Sequence, residues 1–291
     1  MKPAAFAYHP AASSAEAAQL LSDLGEDAKL ISGGQSLTPM LAMRLVRFDH
    51  LVDISRSADL RGISRSNGTL VVRAATPDVQ VERSDVVAAS VPLLTKVTPL
   101  IGHFQIRNRG TIGGSIAHAD PAAEYPAVAL ALDATLECQS VRGTRLIDAA
   151  DYFVGIWSTS MEPDELLTAI HFPVWSGRCG FGVSEFARRH GDFAIAGAVA
   201  AVELDAANVI ARCSIAMFGV SGQPERAVST EARLVGSSAG DLTPAEVGAS
   251  AVADVASPAD DVNMPAAYRM SVAASMVAAA WTKALTEAQD G

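Results

Sequence analysis

The pattern of hydrophobic and polar positions changes character near residue 181, so the chain reads as two stretches built from different elements. In the first, Ser13 and Glu16 have the spacing of a capping box, and the apolar-rich run behind them ends at Gly25, a C-cap residue. This predicts a helix. Lys29, Leu30 and Ile31 predict a short strand, followed by a glycine loop and a second helix with Thr38 as its cap and Pro39 in its first position. Further strands are expected at 51–54, 69–75 and 135–141, and a helix at 92–101. Beyond the change, three strands follow one another at 181–188, 194–204 and 209–220, joined by Gly, Asp and Asn turns, so an antiparallel sheet is expected. Helices at 243–255 and from Pro265 to about Ala288 then follow. The elements together predict an α+β fold with a boundary at 173–180.

Composition narrows the partners more than the fold. With 291 residues, the chain is long enough for two cores, and 49% hydrophobic residues with only 5% aromatics suit closely packed layers of small side chains. A net charge of −10 repels phosphate backbones, and no dense cluster of Lys or Arg offsets it, so nucleic acid is not an expected partner. No stretch has the uninterrupted apolarity of a signal peptide or a membrane span, and a cytoplasmic location is expected. Cys138, Cys179 and Cys213 lie far apart without CxxC spacing. They are expected to be free thiols, and no metal site is expected in this chain.

Two glycine segments carry the chemistry. Gly33, Gly34, Gln35 and Ser36 lie between a strand and a helix, where residues without side chains let backbone N–H groups converge on an anion. Thr111, Ile112, Gly113, Gly114 and Ser115 form the second, followed by Asp120 and Pro121, which have the look of a helix cap. Neither holds the Gly-Lys-Ser/Thr of a P-loop or the G-x-G-x-x-G of a dinucleotide fold, which argues for a different diphosphate ligand. Ser36 and Thr111 add hydroxyl donors, although Ser36 serves equally as a helix cap. His103 and His118 are read as structural, and no catalytic residue is assigned. Arg107 and Arg109 either screen the diphosphate, meet a partner or form a solvated basic face.

Ser32-Gly33-Gly34-Gln35-Ser36-Leu37, the string from Ile106 through Arg107-Asn108-Arg109-Gly110 to Ser115, and Ala119-Asp120-Pro121-Ala122-Ala123-Glu124 resemble the FAD-binding medium subunits of the xanthine and carbon monoxide dehydrogenase family. The likeness covers nearly the whole chain. It implies a two-subdomain FAD-binding domain of the vanillyl-alcohol-oxidase-like type over 1–173, with subdomains at about 1–55 and 56–173. A C-terminal flavoprotein domain of the carbon monoxide dehydrogenase type is implied over 180–288, as a three-stranded antiparallel sheet with a helical bundle. The resemblance further implies non-covalent FAD, its diphosphate surrounded by Ser32, Gly33, Gly34, Gln35, Ser36 and Leu37 on one side and by Thr111, Ile112, Gly113, Gly114 and Ser115 on the other. Glu124 falls near the nucleotide, Ile101 and Leu167 take flavin-contacting positions, and Phe193 stands where some members place a tyrosine by the flavin ring. Glu185 replaces a lysine that touches FAD in some members, so no contact is assigned to it. Implied partners are a small subunit with two [2Fe–2S] clusters and a large subunit with molybdopterin, in a heterotrimer or a dimer of heterotrimers. This chain would pass electrons from the clusters to an external acceptor. The alternative is a self-contained FAD oxidase or dehydrogenase, which needs a polar substrate pocket; the small apolar stretches at 194–201 and 271–280 argue against one.

Overall fold

The computed structural model describes residues 2–241, 243–260 and 264–291; Met1, Leu242 and residues 261–263 lie outside the described residues. Helix Ser14–Leu24 forms where its caps dictate. Ser13 Oγ accepts the Glu16 N–H at 3.2 Å, the Glu16 carboxylate accepts the Ala12 N–H at 2.7 Å, and Gly25 ends the helix at φ 67°. Its buried face, Ala17, Ala18 and Leu21, packs with Val52 and Ile54 beside a three-stranded parallel sheet in the order Ala7–Pro10, His50–Asp53, Ala28–Ile31. The next helix, Leu37–Met43, begins earlier than expected, with Ser36 at its cap position and Thr38 already helical. Pro39 is tolerated there because the N–H groups of a first turn have no intrahelical acceptor to lose.

A five-stranded antiparallel sheet follows, in the order Ile63–Ser66, Thr69–Arg73, Leu166–Pro173, Thr135–Ser140, Gly143–Asp148. Its core joins Leu70, Val72, Leu136 and Ile170 to Val81, Leu93, Leu94, Ile112, Ile116 and Val128 from short helices. The helix expected over 92–101 stops at Val97 and tightens into a 3-10 turn over Thr98–Leu100, where Pro99 has no N–H to donate. Asp120 does not cap a helix. It closes a turn by accepting the Ala122 N–H at 2.9 Å, and helix Glu124–Ala131 starts behind it.

Strands Arg178–Phe186, Ala196–Leu204 and Ile210–Phe218 pair antiparallel in sequence order, and a fourth, two-residue strand, Glu225–Arg226, extends the sheet at its edge. The sheet is apolar on both faces: Val199 and Ala201 join the central core, while Ala198, Ala200 and Val202 point to the helices Val228–Leu234, Pro244–Ala253 and Ala266–Asp290. The last of these lies flush on Arg178–Phe186. A Cβ at Gly180 or Gly182 would stand 1.9 Å from the carbonyl oxygen of Ala284 or Ala280, so main chain meets main chain. Lys283 donates to the Val183 carbonyl at 2.7 Å across the same joint. Among the described residues, no helix is long and apolar enough to cross a membrane.

Candidate functional site

Strand Ala28–Ile31 delivers the chain to residues 32–37 at the carboxyl end of the parallel sheet, where ligands of such sheets bind. A Cβ on Gly33 would lie 2.1 Å from the Arg109 carbonyl oxygen and 2.8 Å from Gly110 Cα, so this backbone rests directly on the segment before Thr111. Gly34 turns at φ +70°, in the left-handed region that glycine enters without strain. Gln35 folds back to donate from Nε2 to the Gly33 carbonyl at 2.8 Å, and the Thr38 N–H reaches the Gly34 carbonyl at 3.1 Å. Among the described residues, no acceptor meets the N–H groups of Gly33, Gly34, Gln35 or Ser36. A row of unspent donors at a helix entrance is what a phosphate requires, and this cradle fits an FAD diphosphate.

Residues 111–115 differ in kind, because they are the first turn of helix Ile112–His118 rather than a loop. Thr111 Oγ1 accepts the Gly114 N–H at 3.2 Å and donates to Ser32 Oγ at 3.1 Å. The Ile112, Gly113 and Ser115 N–H groups go to the carbonyls of Thr76, Ala74 and Thr111 at 3.2, 2.9 and 3.0 Å. The donors that the sequence reading offered to a phosphate are therefore satisfied within the chain. Gly113 is small because Ala74 packs on it: a Cβ there would stand 2.4 Å from the Ala74 Cβ. The segment braces the first loop, through Thr111 on Ser32 and Arg109 on Gly33.

Behind this joint lies a group of carboxyls. Glu124 is 8% exposed, and the Glu185 carboxyl acts on it electrostatically. Burial holds Glu124 well above the usual carboxylate range, the Glu185 charge adding to it, and burial raises Glu185 to about 7. Glu185 Oε2 is buried without a donor. Asp78, 3% exposed, presses on Gly110, where a Cβ would lie 2.3 Å from its Oδ2; burial raises it to about 8, and its Oδ1 has no partner. Sequence reading passed over Asp78 and assigned nothing to Glu185. Residues 78, 124 and 185 carry no shared spacing, and their burial, nearly complete at 78 and 124 and partial at 185, is set by the fold.

The other candidates lie around this joint at different depths. Ile101 is partly buried, and its carbonyl accepts from Arg107 Nη1 at 3.2 Å while Arg107 Nε pairs with Glu82 at 2.8 Å. Leu167 is a core residue at 4% exposure, one residue before Thr168, whose carbonyl takes the N–H of Ala74 behind Gly113. Phe193 is 70% exposed, on a loop whose Gly191 lies against Gly102 and His103, next to Ile101. His118 stacks on Trp157 with ring centroids 6.0 Å apart, and burial lowers its pKa.

The profile of the FAD binding domain in molybdopterin dehydrogenase matches residues 4–175, and that of the CO dehydrogenase flavoprotein C-terminal domain matches residues 182–284. The chain belongs to the flavoprotein family of molybdopterin dehydrogenases. This flavoprotein is 40% identical over 291 residues to the 6-hydroxypseudooxynicotine dehydrogenase complex subunit alpha of Paenarthrobacter nicotinovorans, a match spanning 99% of this chain and 97% of the relative. It is 36% identical over 289 residues to the carbon monoxide dehydrogenase medium chain of Hydrogenophaga pseudoflava, with 97% and 99% covered. The solved carbon monoxide dehydrogenase of Hydrogenophaga pseudoflava, in a form that lacks the Mo-pyranopterin moiety, superposes with a TM-score of 0.95 at 35% identity over 99% of both chains. The flavoprotein is thus an FAD-binding oxidoreductase subunit, with the mixed α/β architecture of carbon monoxide dehydrogenase medium chains.

Proposed function

We propose that this chain holds one FAD non-covalently and relays electrons from two [2Fe–2S] clusters on a small partner subunit to an external acceptor. The large partner would carry molybdopterin and bind the organic substrate, in a cytoplasmic heterotrimer or a dimer of heterotrimers. The observation that carries the reading is the row of unspent N–H donors at Gly33, Gly34, Gln35 and Ser36, braced by Arg109 and Thr111. These donors, with Ser32 and Leu37 at the ends of the loop, orient the diphosphate. Thr111, Ile112, Gly113, Gly114 and Ser115 wall it, Glu124 lies toward the nucleotide, and Ile101, Leu167 and Phe193 frame the ring. FAD, when bound, supplies the step between paired and single electrons that joins iron–sulfur clusters to a two-electron acceptor.

Non-covalent retention agrees with the thiols. Burial pushes Cys138 and Cys213 up to about 12 and Cys179 to about 11, which leaves no thiolate near neutral pH to attack a flavin. We further propose that 1–55 and 56–173 act as the two halves of the FAD-binding domain and that 180–288 covers it. The test is anaerobic flavin absorbance of the complete chain, first alone and then with its iron–sulfur and molybdopterin subunits. Bleaching by substrate is expected only with both partners present. If the isolated chain bleaches rapidly with an organic substrate, the relay reading fails and a self-contained dehydrogenase replaces it.

A further inference from the structure

We infer that Arg107 is a positioning residue for the flavin: its guanidinium fixes the turn that bears Ile101 against the segment on which the glycine cradle rests. The inference rests on the FAD reading and deepens it. The side chain is 13% exposed, and its bonds go to protein. Nε pairs with Glu82 at 2.8 Å, while Nη1, with two hydrogens to offer, lies 3.2, 3.3 and 3.5 Å from the carbonyl oxygens of Ile101, Gly102 and Pro99.

Those carbonyls need a donor from outside their own turn. The 3-10 turn Thr98–Leu100 ends with the Ile101 N–H on the Thr98 carbonyl at 3.1 Å, and Gly102 then turns at φ +50°. Among the described residues, no backbone N–H reaches the oxygens of 99, 101 or 102. Arg107 reaches them from the end of helix Phe104–Arg107, where the Ile106 and Arg107 N–H groups meet the His103 carbonyl at 2.9 and 3.1 Å.

The segment so held touches the site on both sides. Ahead, Gly191 of the Phe193 loop lies against it, a Cβ there standing 3.1 Å from the Gly102 carbonyl oxygen and 2.9 Å from His103 Cε1. Behind, the Gly110 N–H meets the Ile106 carbonyl at 2.7 Å, the Asp78 N–H meets the Gly110 carbonyl at 2.9 Å, and Gly33 rests on Arg109 and Gly110. Glu82 closes the ring of contacts, because helix Asp78–Glu82 carries both that N–H and the carboxylate on Arg107 Nε. One guanidinium thus sets where Ile101 stands relative to the donor loop. Its planar fork aims Nε and Nη1 in fixed, separate directions, whereas a lysine ammonium is a point charge on a flexible stem and does not hold Glu82 and the carbonyls at once. Loss of the fork loosens the ring end of the site and spares the diphosphate end, whose N–H donors belong to 33–36.

The experiment compares the full chain with Arg107→Met and Arg107→Lys. Affinity is read by fluorescence titration with FAD, and ring placement by visible circular dichroism of the flavin at saturating FAD, a signal that is weak while the ring is free to turn. Far-ultraviolet circular dichroism and thermal unfolding report the fold. Both variants are expected to bind FAD about tenfold more weakly, the factor that one lost hydrogen bond from a charged donor roughly corresponds to, and to lose most of the visible signal. Arg107→Lys keeps the charge and decides the matter where the methionine variant folds poorly. A visible signal of native size in either folded variant, with only the thermal midpoint lowered, overturns the positioning role and leaves the FAD reading standing. Complete loss of FAD binding in a folded variant also overturns it, since Arg107 would then belong to the cradle itself. Absence of FAD binding by the native chain overturns the FAD reading.

Discussion

Replacing Gly33 with alanine probes the joint of the proposed flavin cradle with a single methyl group. Gly33 is not in the left-handed region, so its backbone accepts alanine and the effect is steric. The methyl carbon would stand 2.1 Å from the Arg109 carbonyl oxygen, 2.7 Å from its carbon and 2.8 Å from Gly110 Cα. Non-bonded heavy atoms rest at roughly 3.5 Å, so the two segments must part by about 1 Å or more. These neighbours are main chain and have no rotamer to yield. Overpacking of this kind costs about 1–3 kcal/mol, and because the donors converge only when the joint is closed, the cost appears in binding as a roughly 5- to 150-fold loss. The assay is fluorescence titration with FAD, accompanied by thermal unfolding in excess FAD. Gly34→Ala is the comparison: its φ of +70° costs an L-residue about 1–2 kcal/mol, but its methyl meets side chains and no backbone, the Thr38 hydroxyl at 2.9 Å and the Ile31 Cδ1 at 3.4 Å. The smaller loss is expected there. Binding by Gly33→Ala within about twofold of the native chain would refute the argument.

Thr111→Val removes both the cap of the Gly114 N–H and the bond to Ser32, so a loss of about 1 kcal/mol in stability is expected together with weaker flavin binding; an unchanged thermal midpoint and affinity would count against this. Acid or denaturant should release the flavin with its absorbance unaltered, and flavin that stays on the denatured chain would contradict non-covalent retention. Asp78 binds its proton more tightly folded than unfolded, its pKa rising from 3.8 to about 8, so it withdraws stability as pH rises through that window and no further above it. Asp78→Asn should therefore gain thermal midpoint relative to the native chain between about pH 5 and pH 8, and a difference that stays constant with pH would refute the assignment.

Elements whose signals are local are legible in the sequence. Helix Ser14–Leu24 carries its own cap, its own capping carboxylate and its own terminal glycine within a dozen positions. The strands Arg178–Phe186, Ala196–Leu204 and Ile210–Phe218 are separated by turn residues and pair with their immediate neighbours. What escapes is decided at a distance. Strand Leu166–Pro173 pairs Ala169 with Arg73 and with Glu137, and no pattern along the chain names those partners. The two Gly-Gly pairs make the point most directly. Gly33-Gly34 is a loop with unspent donors and Gly113-Gly114 a helical turn with none, and the difference lies in the Thr111 hydroxyl and the Ala74 carbonyl. The carboxyls of Asp78, Glu124 and Glu185 are individually ordinary in sequence. Their raised pKa values belong to the burial that the fold imposes.

The seam between helix Ala266–Asp290 and strand Arg178–Phe186 has a mechanical consequence. Its spacing at Gly180 and Gly182 is set by main-chain atoms, and rotamer changes, the usual means by which packed surfaces absorb small shifts, have nothing to act on there. Lys283 pins the same seam through the Val183 carbonyl, two residues from Glu185. Strand and helix therefore move as a single lever, with the exposed side of the helix at one end and Glu185 at the other. A force applied to that outer surface, well away from the glycine cradle, would reach the buried carboxyls with little loss on the way.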